Sequence, residues 1–378
     1  MKVYLDNTAS TPLLPEVIDA MKNAMENLYA NPSSVHYHGR MSKVVIENAR
    51  KTIASNLNCV PSEIIFTSGG TEANNMAIYG CIYDLGVQNV ITSKIEHHAI
   101  LHTLEHFEQK GLIKIHFVEL NEKGQINLDS LEKHLIDFPN ALVTLMYANN
   151  EISNRLPIRK VSKLCRKYDA LFHSDMVQSI GHYHIDLQNI DIDFASSSGH
   201  KFHAPKGIGF IYINSKKVKI DALIHGGGQE RNMRGGTENI YGIAGLAKAF
   251  EIAHEKMDED MTYIADLKQY MIQQIIENFD NVSFIGESAN TGLYTVLSVN
   301  FPKAMFDDML LMNLDIEGVS ASSGSACTSG ALKGSHVIKE LKIPAENQVI
   351  RFSFSKLNTK SDINFCINVL KKLQKNKG

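Results

Sequence analysis

The sequence lacks most of what would mark a membrane, secreted or nucleic-acid-binding protein. No apolar run approaches the roughly 18 residues a membrane span needs, and the chain opens on Lys2-Val3-Tyr4-Leu5-Asp6 with no apolar signal core. No membrane partner is expected, and cytoplasm is the expected location. A formal charge of -3 over 378 residues gives no electrostatic basis for direct binding of nucleic acid. Cysteine is scarce: five residues, at positions 59, 81, 165, 327 and 366, with no C-x-x-C pair among them. That argues against a metal centre of cysteines or a disulfide framework and leaves reduced, mostly buried thiols. The Walker A order and the dinucleotide G-x-G-x-x-G are both missing, as are internal repeats, low-complexity tracts and long linkers.

What is present reads as an alternating α/β chain, long enough for one large domain or two. Short apolar strands are expected near Val3, Glu63 to Thr67, Asn89 to Thr92, Ile113 to Glu119, Leu142 to Tyr147, Leu171 to Ser174, Asp191 to Ser197 and Gly209 to Ile213. Helical patterns fall between them, which implies a mostly parallel sheet covered on both faces. Asn31-Pro32-Ser33-Ser34 predicts a serine-capped start for a helix running to Leu57. One long helical tract is predicted from Ile240 to Phe279. After about residue 255 a smaller α/β domain is expected, packed with the N-terminal segment.

Chemistry concentrates in a few stretches. Lys201 sits between two apolar strands in Ser198-Gly199-His200-Lys201. Held near a core it would favour the neutral amine and act as a nucleophile; as a surface loop lysine it would do neither. Ser68-Gly69-Gly70-Thr71, between a strand and a helix expected over Ala73 to Tyr83, suits a phosphate held by backbone N–H groups, or simply a tight turn. Ser198, His200 and Thr237 could serve the same phosphate. Asp175 ends a core strand, where ligands sit in open α/β sheets; it can hold a protonated pyridine nitrogen or cap a helix. Asp175 and Lys201 are one strand-and-crossover unit apart, so neighbouring strands could present both to one ring. In Glu96-His97-His98-Ala99 one histidine can stack on a planar cofactor, while the other is structural. Cys327 lies in a run of small residues, Ser320 to Gly330, fit for a thiol that moves. Arg351, inside an apolar strand, needs an anion, and a substrate carboxylate would satisfy it.

Taken in order, these stretches closely resemble the cysteine desulfurases of the class V aminotransferase group, which use pyridoxal phosphate. The resemblance runs from Tyr4-Leu5-Asp6-Asn7-Thr8-Ala9 through Asn31-Pro32-Ser33-Ser34, Thr67-Ser68-Gly69-Gly70-Thr71-Glu72, Asn149-Asn150-Glu151 and Arg234-Gly235-Gly236-Thr237 to Ser323-Gly324-Ser325-Ala326-Cys327-Thr328. It implies the α/β fold type I: a large domain (15–255) with a mostly parallel seven-stranded sheet, and a small domain (256–378) carrying Cys327 and Arg351, with 1–14 packed against it. It further implies that Lys201 bonds to the cofactor, Asp175 pairs its pyridine nitrogen, Gln178 contacts its ring hydroxyl and His97 stacks on its ring. Gly70, Thr71, Ser198 and His200 would bind its phosphate, with Thr237 entering from the second subunit of a homodimer. Asn150 and Arg351 would hold the substrate carboxylate. L-cysteine would yield L-alanine and a persulfide on Cys327, passed to an iron–sulfur scaffold or a tRNA-thiolation enzyme.

Met176, Ala204, Ser153-Asn154-Arg155-Leu156, Lys333-Gly334 and Ser355 depart from the family's usual residues, and Met176 is expected to be bulky near the ring. A selenocysteine lyase or small-amino-acid aminotransferase of the same fold is the neighbouring alternative. A phosphate-ligand module without catalysis is a more distant one, opposed by Lys201 and Asp175 standing together.

Overall fold

The computed structural model describes residues 1–323 and 335–375. Strand β1 (Val3–Tyr4) leads into helices α1 (Pro15–Asn27) and α2 (Tyr37–Asn56). Then β2 (Ile64–Thr67), α3 (Gly70–Tyr83), β3 (Asn89–Thr92), α4 (His98–Gln109), β4 (Lys114–Phe117), α5 (Leu128–Asp137), β5 (Leu142–Thr144), α6 (Ile158–Lys167), β6 (Leu171–Asp175), α7 (Leu187–Ile190), β7 (Phe194–Ser198) and β8 (Gly209–Ile213) follow in alternation. Their strands form one seven-stranded sheet in the order β2-β8-β7-β6-β5-β3-β4. All its pairs are parallel except those of β8, which runs antiparallel to both neighbours.

The pleat explains why these strands read as continuous apolar runs. Ile64 and Phe66 of β2 point into one layer with Ile46, Ile53 and Phe250; Ile65 points to the other, with Met76 and Leu104. Successive side chains face opposite ways, so a sheet covered on both sides needs apolar residues at every position.

Helix α8 (Ile240–Glu255) belongs to the first layer, whereas α9 (Met257–Asn278) packs into a separate core. That core includes Val3 and Leu5 from the N-terminus, with residues of β10 (Val296–Phe301), α10 (Leu310–Ile316), β12 (Gln348–Ser353) and α12 (Lys360–Leu373). Between them lie β9 (Ser283–Phe284), β11 (Val319–Ser320) and α11 (His336–Glu340). Strand β10 pairs antiparallel with β9 and β12, and β1 pairs parallel with β11.

Three expectations need correction. The single tract from 240 to 279 is two helices, broken at Lys256 (φ -110°, ψ 12°). Asp258, Glu259 and Asp260 in the next turn favour a fresh N-terminus, where their charge complements the macrodipole. Helix α2 is capped by His36, whose Nδ1 accepts from Gly39 N at 3.3 Å, not by Ser33 or Ser34. Ser33 instead donates its N–H to Asn31 Oδ1 at 2.9 Å, closing an Asx turn that holds the chain out of the helix. Helix α3 starts at Gly70, three residues before the expected Ala73, so the glycine turn itself supplies its first turn.

Glu230, Arg231 and Asn232 occupy the left-handed region at φ 44°, 60° and 67°. Such backbone persists only where its surroundings over-determine it. Here Arg50 grips Glu230 through two hydrogen bonds of 2.8 Å, and Glu230 also accepts from Phe66 N at 2.8 Å. Both side chains are buried. Replacing Arg50 with Met leaves the Glu230 carboxylate buried without its cation. Equilibrium urea unfolding should show a loss of about 3–5 kcal/mol, far above the cost of an exposed substitution.

Candidate active site

The carboxyl ends of β6 and β7 and the start of α3 converge on one cavity of about 200 Å³. Asp175, the last residue of β6, is in register with Ser196 of β7. Two residues on, Ser198 ends β7, and the chain turns through a short 3-10 segment, Gly199–Lys201, that delivers Lys201 to the same cavity. Gly70, Thr71, His97, Asn150, Gln178, His200 and Arg351 also line it. The structure therefore brings together all the sequence-predicted site residues except two. Thr237 is exposed and outside this cavity, and Cys327 lies outside the described residues.

Lys201 Nζ donates to two carbonyls of the N-terminal segment, Thr8 O at 2.7 Å and Ala9 O at 2.9 Å. Gln178 Nε2 donates to Thr8 O at 3.1 Å. Asp175 is buried, with Oδ2 accepting from Asn74 Nδ2 at 2.7 Å and Oδ1 from Val177 N at 3.0 Å. Those bonds fix the plane of its carboxylate. Arg351 is 1% exposed: Nη2 donates to Asp6 Oδ1 at 3.0 Å, Nη1 donates to Asn150 O at 3.1 Å, and Nε has no hydrogen-bond partner. The anion that Arg351 demanded on sequence grounds is thus supplied within the chain by Asp6.

The histidines divide as the extended backbone requires. His97 lines the cavity and caps α4, its Nδ1 accepting from Ala99 N at 3.0 Å. Burial lowers its proton affinity, against the pull of Asp175 and aided by the charge of Lys201. His98 turns away and packs against His102 and His336, with ring centroids 4.5 and 4.4 Å away. His200 Nδ1 is 3.3 Å from Ser10 Oγ, and burial with the charges of Lys201 and Lys206 pushes its pKa down to about 4.

Met176 does not line the cavity, contrary to expectation. It is fully buried in the main core, while Val177 and Met146 line the site. Asp175 and Val177 face the cavity, so the side chain between them points the opposite way, into the layer that holds Phe172. Asp6, Thr8, Ala9 and Asn74 carry the site's hydrogen bonds and were assigned no role from sequence.

Residues 3–365 match the family Aminotransferase class-V. The chain belongs to it. A relative from Dictyoglomus turgidum named cysteine desulfurase IscS is 41% identical over 377 residues, covering 98% of this chain and 94% of that protein. A solved structure described as a NifS-like protein superposes with a TM-score of 0.90 at 32% identity, covering 98% of this chain and 99% of that one. Another, described as SspA in complex with cysteine, has a TM-score of 0.82 at 31% identity, covering 94% and 100%. The fold is that of the fold type I pyridoxal-phosphate enzymes, and the family is pyridoxal-phosphate-dependent.

The residues present fit that cofactor. Lys201 and Asp175 face one cavity, and α3 opens toward it with its N-terminal N–H groups at Gly70 and Thr71. The backbone comes close at Gly70, where a Cβ would lie 2.5 Å from Val177 Cγ2. Val177 is β-branched and stiff, so Gly70→Ala must displace the segment that follows Asp175. Affinity for pyridoxal phosphate, read by equilibrium dialysis, should fall roughly tenfold or more, in keeping with the about 1–3 kcal/mol cost of overpacking.

Behind Asp175, His173 is fully buried between Thr144 Oγ1 at 2.8 Å and Ser196 Oγ at 3.0 Å. Burial pushes its pKa from 6.5 down to about 4. Between those values the unfolded chain takes up a proton that the native imidazole refuses, so this group's contribution is lost as pH falls through that window. The urea midpoint should drop from about pH 7 to about pH 5, and His173→Asn should show a shallower drop.

Proposed function

We propose that the chain is a cysteine desulfurase that converts L-cysteine to L-alanine and holds the released sulfur as a persulfide on Cys327. The observation that carries this reading is the single cavity uniting Lys201, Asp175 and Arg351 in a chain whose full-length relatives bear that name. Lys201, Asp175, Gln178 and His97 would hold the ring of pyridoxal phosphate, and Gly70, Thr71, Ser198 and His200 its phosphate. When bound, the cofactor supplies an electron sink for negative charge at the substrate Cα.

The chain's own groups do the rest. Arg351 and Asn150 orient the substrate carboxylate, and the Lys201 amine moves the Cα proton. Low proton affinity keeps the His97 imidazole neutral near pH 7, and with Nδ1 accepting from Ala99 N its proton sits on Nε2, available for donation. The Cys327 thiolate bonds to the substrate sulfur as the carbon–sulfur bond breaks. The bond's electron pair stays with carbon, which takes a proton, and alanine leaves. L-cysteine and one thiol become alanine and one persulfide, with no external oxidant.

Thr237, exposed on its own chain, would complete the phosphate site of a partner subunit in a homodimer. The sulfur would pass to an iron–sulfur scaffold or a tRNA-thiolation enzyme. The four described cysteines, Cys59, Cys81, Cys165 and Cys366, are free thiols, which suits the reducing cytoplasm. The separate cores support a division at about residue 255, with Val3 and Leu5 in the smaller core and Leu14 already in the larger.

Alanine and sulfide release from L-cysteine with a reductant tests the reading. Wild type should release both, whereas Cys327→Ala should retain bound cofactor and its visible absorbance while sulfide falls to background. Full activity in that variant would reject Cys327 as the carrier and favour a lyase.

A further inference from the structure

Resting on the cysteine desulfurase reading, we infer that Asp6 is a positioning residue that aims Arg351 at the substrate carboxylate. Arg351 is held on two edges. Asp6 accepts from Nη2 and the Asn150 carbonyl accepts from Nη1, which leaves Nε buried and without a hydrogen-bond partner in a side chain that lines the cavity. A guanidinium on a three-methylene stem would otherwise swing, and bidentate capture of a carboxylate depends on a fixed fork.

Asp6 is itself immobilised. Its backbone bridges Ser353 in parallel register, Asn7 Nδ2 donates to Ser353 O at 2.9 Å, and Thr8 N donates to Ser353 Oγ at 2.9 Å. Tyr4 OH donates to Asp6 O at 3.1 Å. The same few residues hold Lys201 through the carbonyls of Thr8 and Ala9. One rigid strap therefore registers the carboxylate-binding arginine against the lysine that works on Cα. The spacing between those two groups is what selects an α-amino acid.

The experiment compares wild type, Asp6→Ala and Asp6→Asn in L-cysteine turnover, with calorimetric binding of L-alanine, which shares the α-carboxylate but has no sulfur. Asp6→Ala should raise KM and weaken L-alanine binding by about tenfold or more, the scale of one lost charge-assisted hydrogen bond, with kcat within about threefold. Asp6→Asn keeps an oxygen acceptor and should recover much of the loss. Tighter binding in both variants would mean that Asp6 merely competes with substrate and would overturn the inference. A lowered melting temperature with KM and L-alanine binding unchanged would also overturn it, as a structural role only. The wild-type arm stands apart: if it does not turn over L-cysteine, the functional reading fails, while weakened L-alanine binding in Asp6→Ala still bears on Asp6.

Discussion

The site depends on a lysine brought to the end of a buried strand and kept there by two backbone carbonyls. A cation near a core must find acceptors or lose its proton, and Thr8 and Ala9 provide them. That requirement ties the N-terminal segment to the sheet. Residues 6–11 cross the carboxyl ends of the strands, bonding Arg351 at one end and, at the other, accepting and donating around His200 and His203 through Thr11. The strap is less a terminus than a wall of the cavity.

Two ion pairs brace the elements around the glycine turn. Arg50 and Glu230 fasten a left-handed turn to β2, and Arg234 reaches Glu72 at 2.9 Å in the first turn of α3. Glu72 also accepts from Ser68 N at 2.9 Å. The segment carrying Thr237 is thereby anchored beside the glycine turn of its own chain. Charge placed there does geometric work: the buried pair is weak evidence for stability in itself, but each partner is costly to remove.

Much of this was legible because it is local. The alternation of strand and helix comes from short apolar runs, and the 26 residues from Asp175 to Lys201 span one crossover, so their meeting followed from topology. Glycines before a helix marked the phosphate turn for the same reason. What was hidden depends on contacts far apart in sequence. Nothing near Asp6 names Arg351 as its partner, nor does anything near Asn74 name Asp175. The break at Lys256 was masked because apolar spacing continues through it, and only the cluster of acids afterwards hinted at a new start. Met176 was misplaced because adjacency to Asp175 was taken as adjacency to the ring, whereas successive side chains face opposite ways.

The placement of the strap has a consequence for synthesis. Strand β1 pairs with β11, and Asp6 bridges Ser353, so residues 3–6 must wait for partners made far later in the chain. Contacts of such long separation close slowly. While the ribosome is still adding the C-terminal quarter, the sheet can form and the glycine turn can exist, yet Asp6 has no arginine to hold. In a nascent chain the arginine side of the cavity is thus completed late, and a product truncated before Arg351 would lack it.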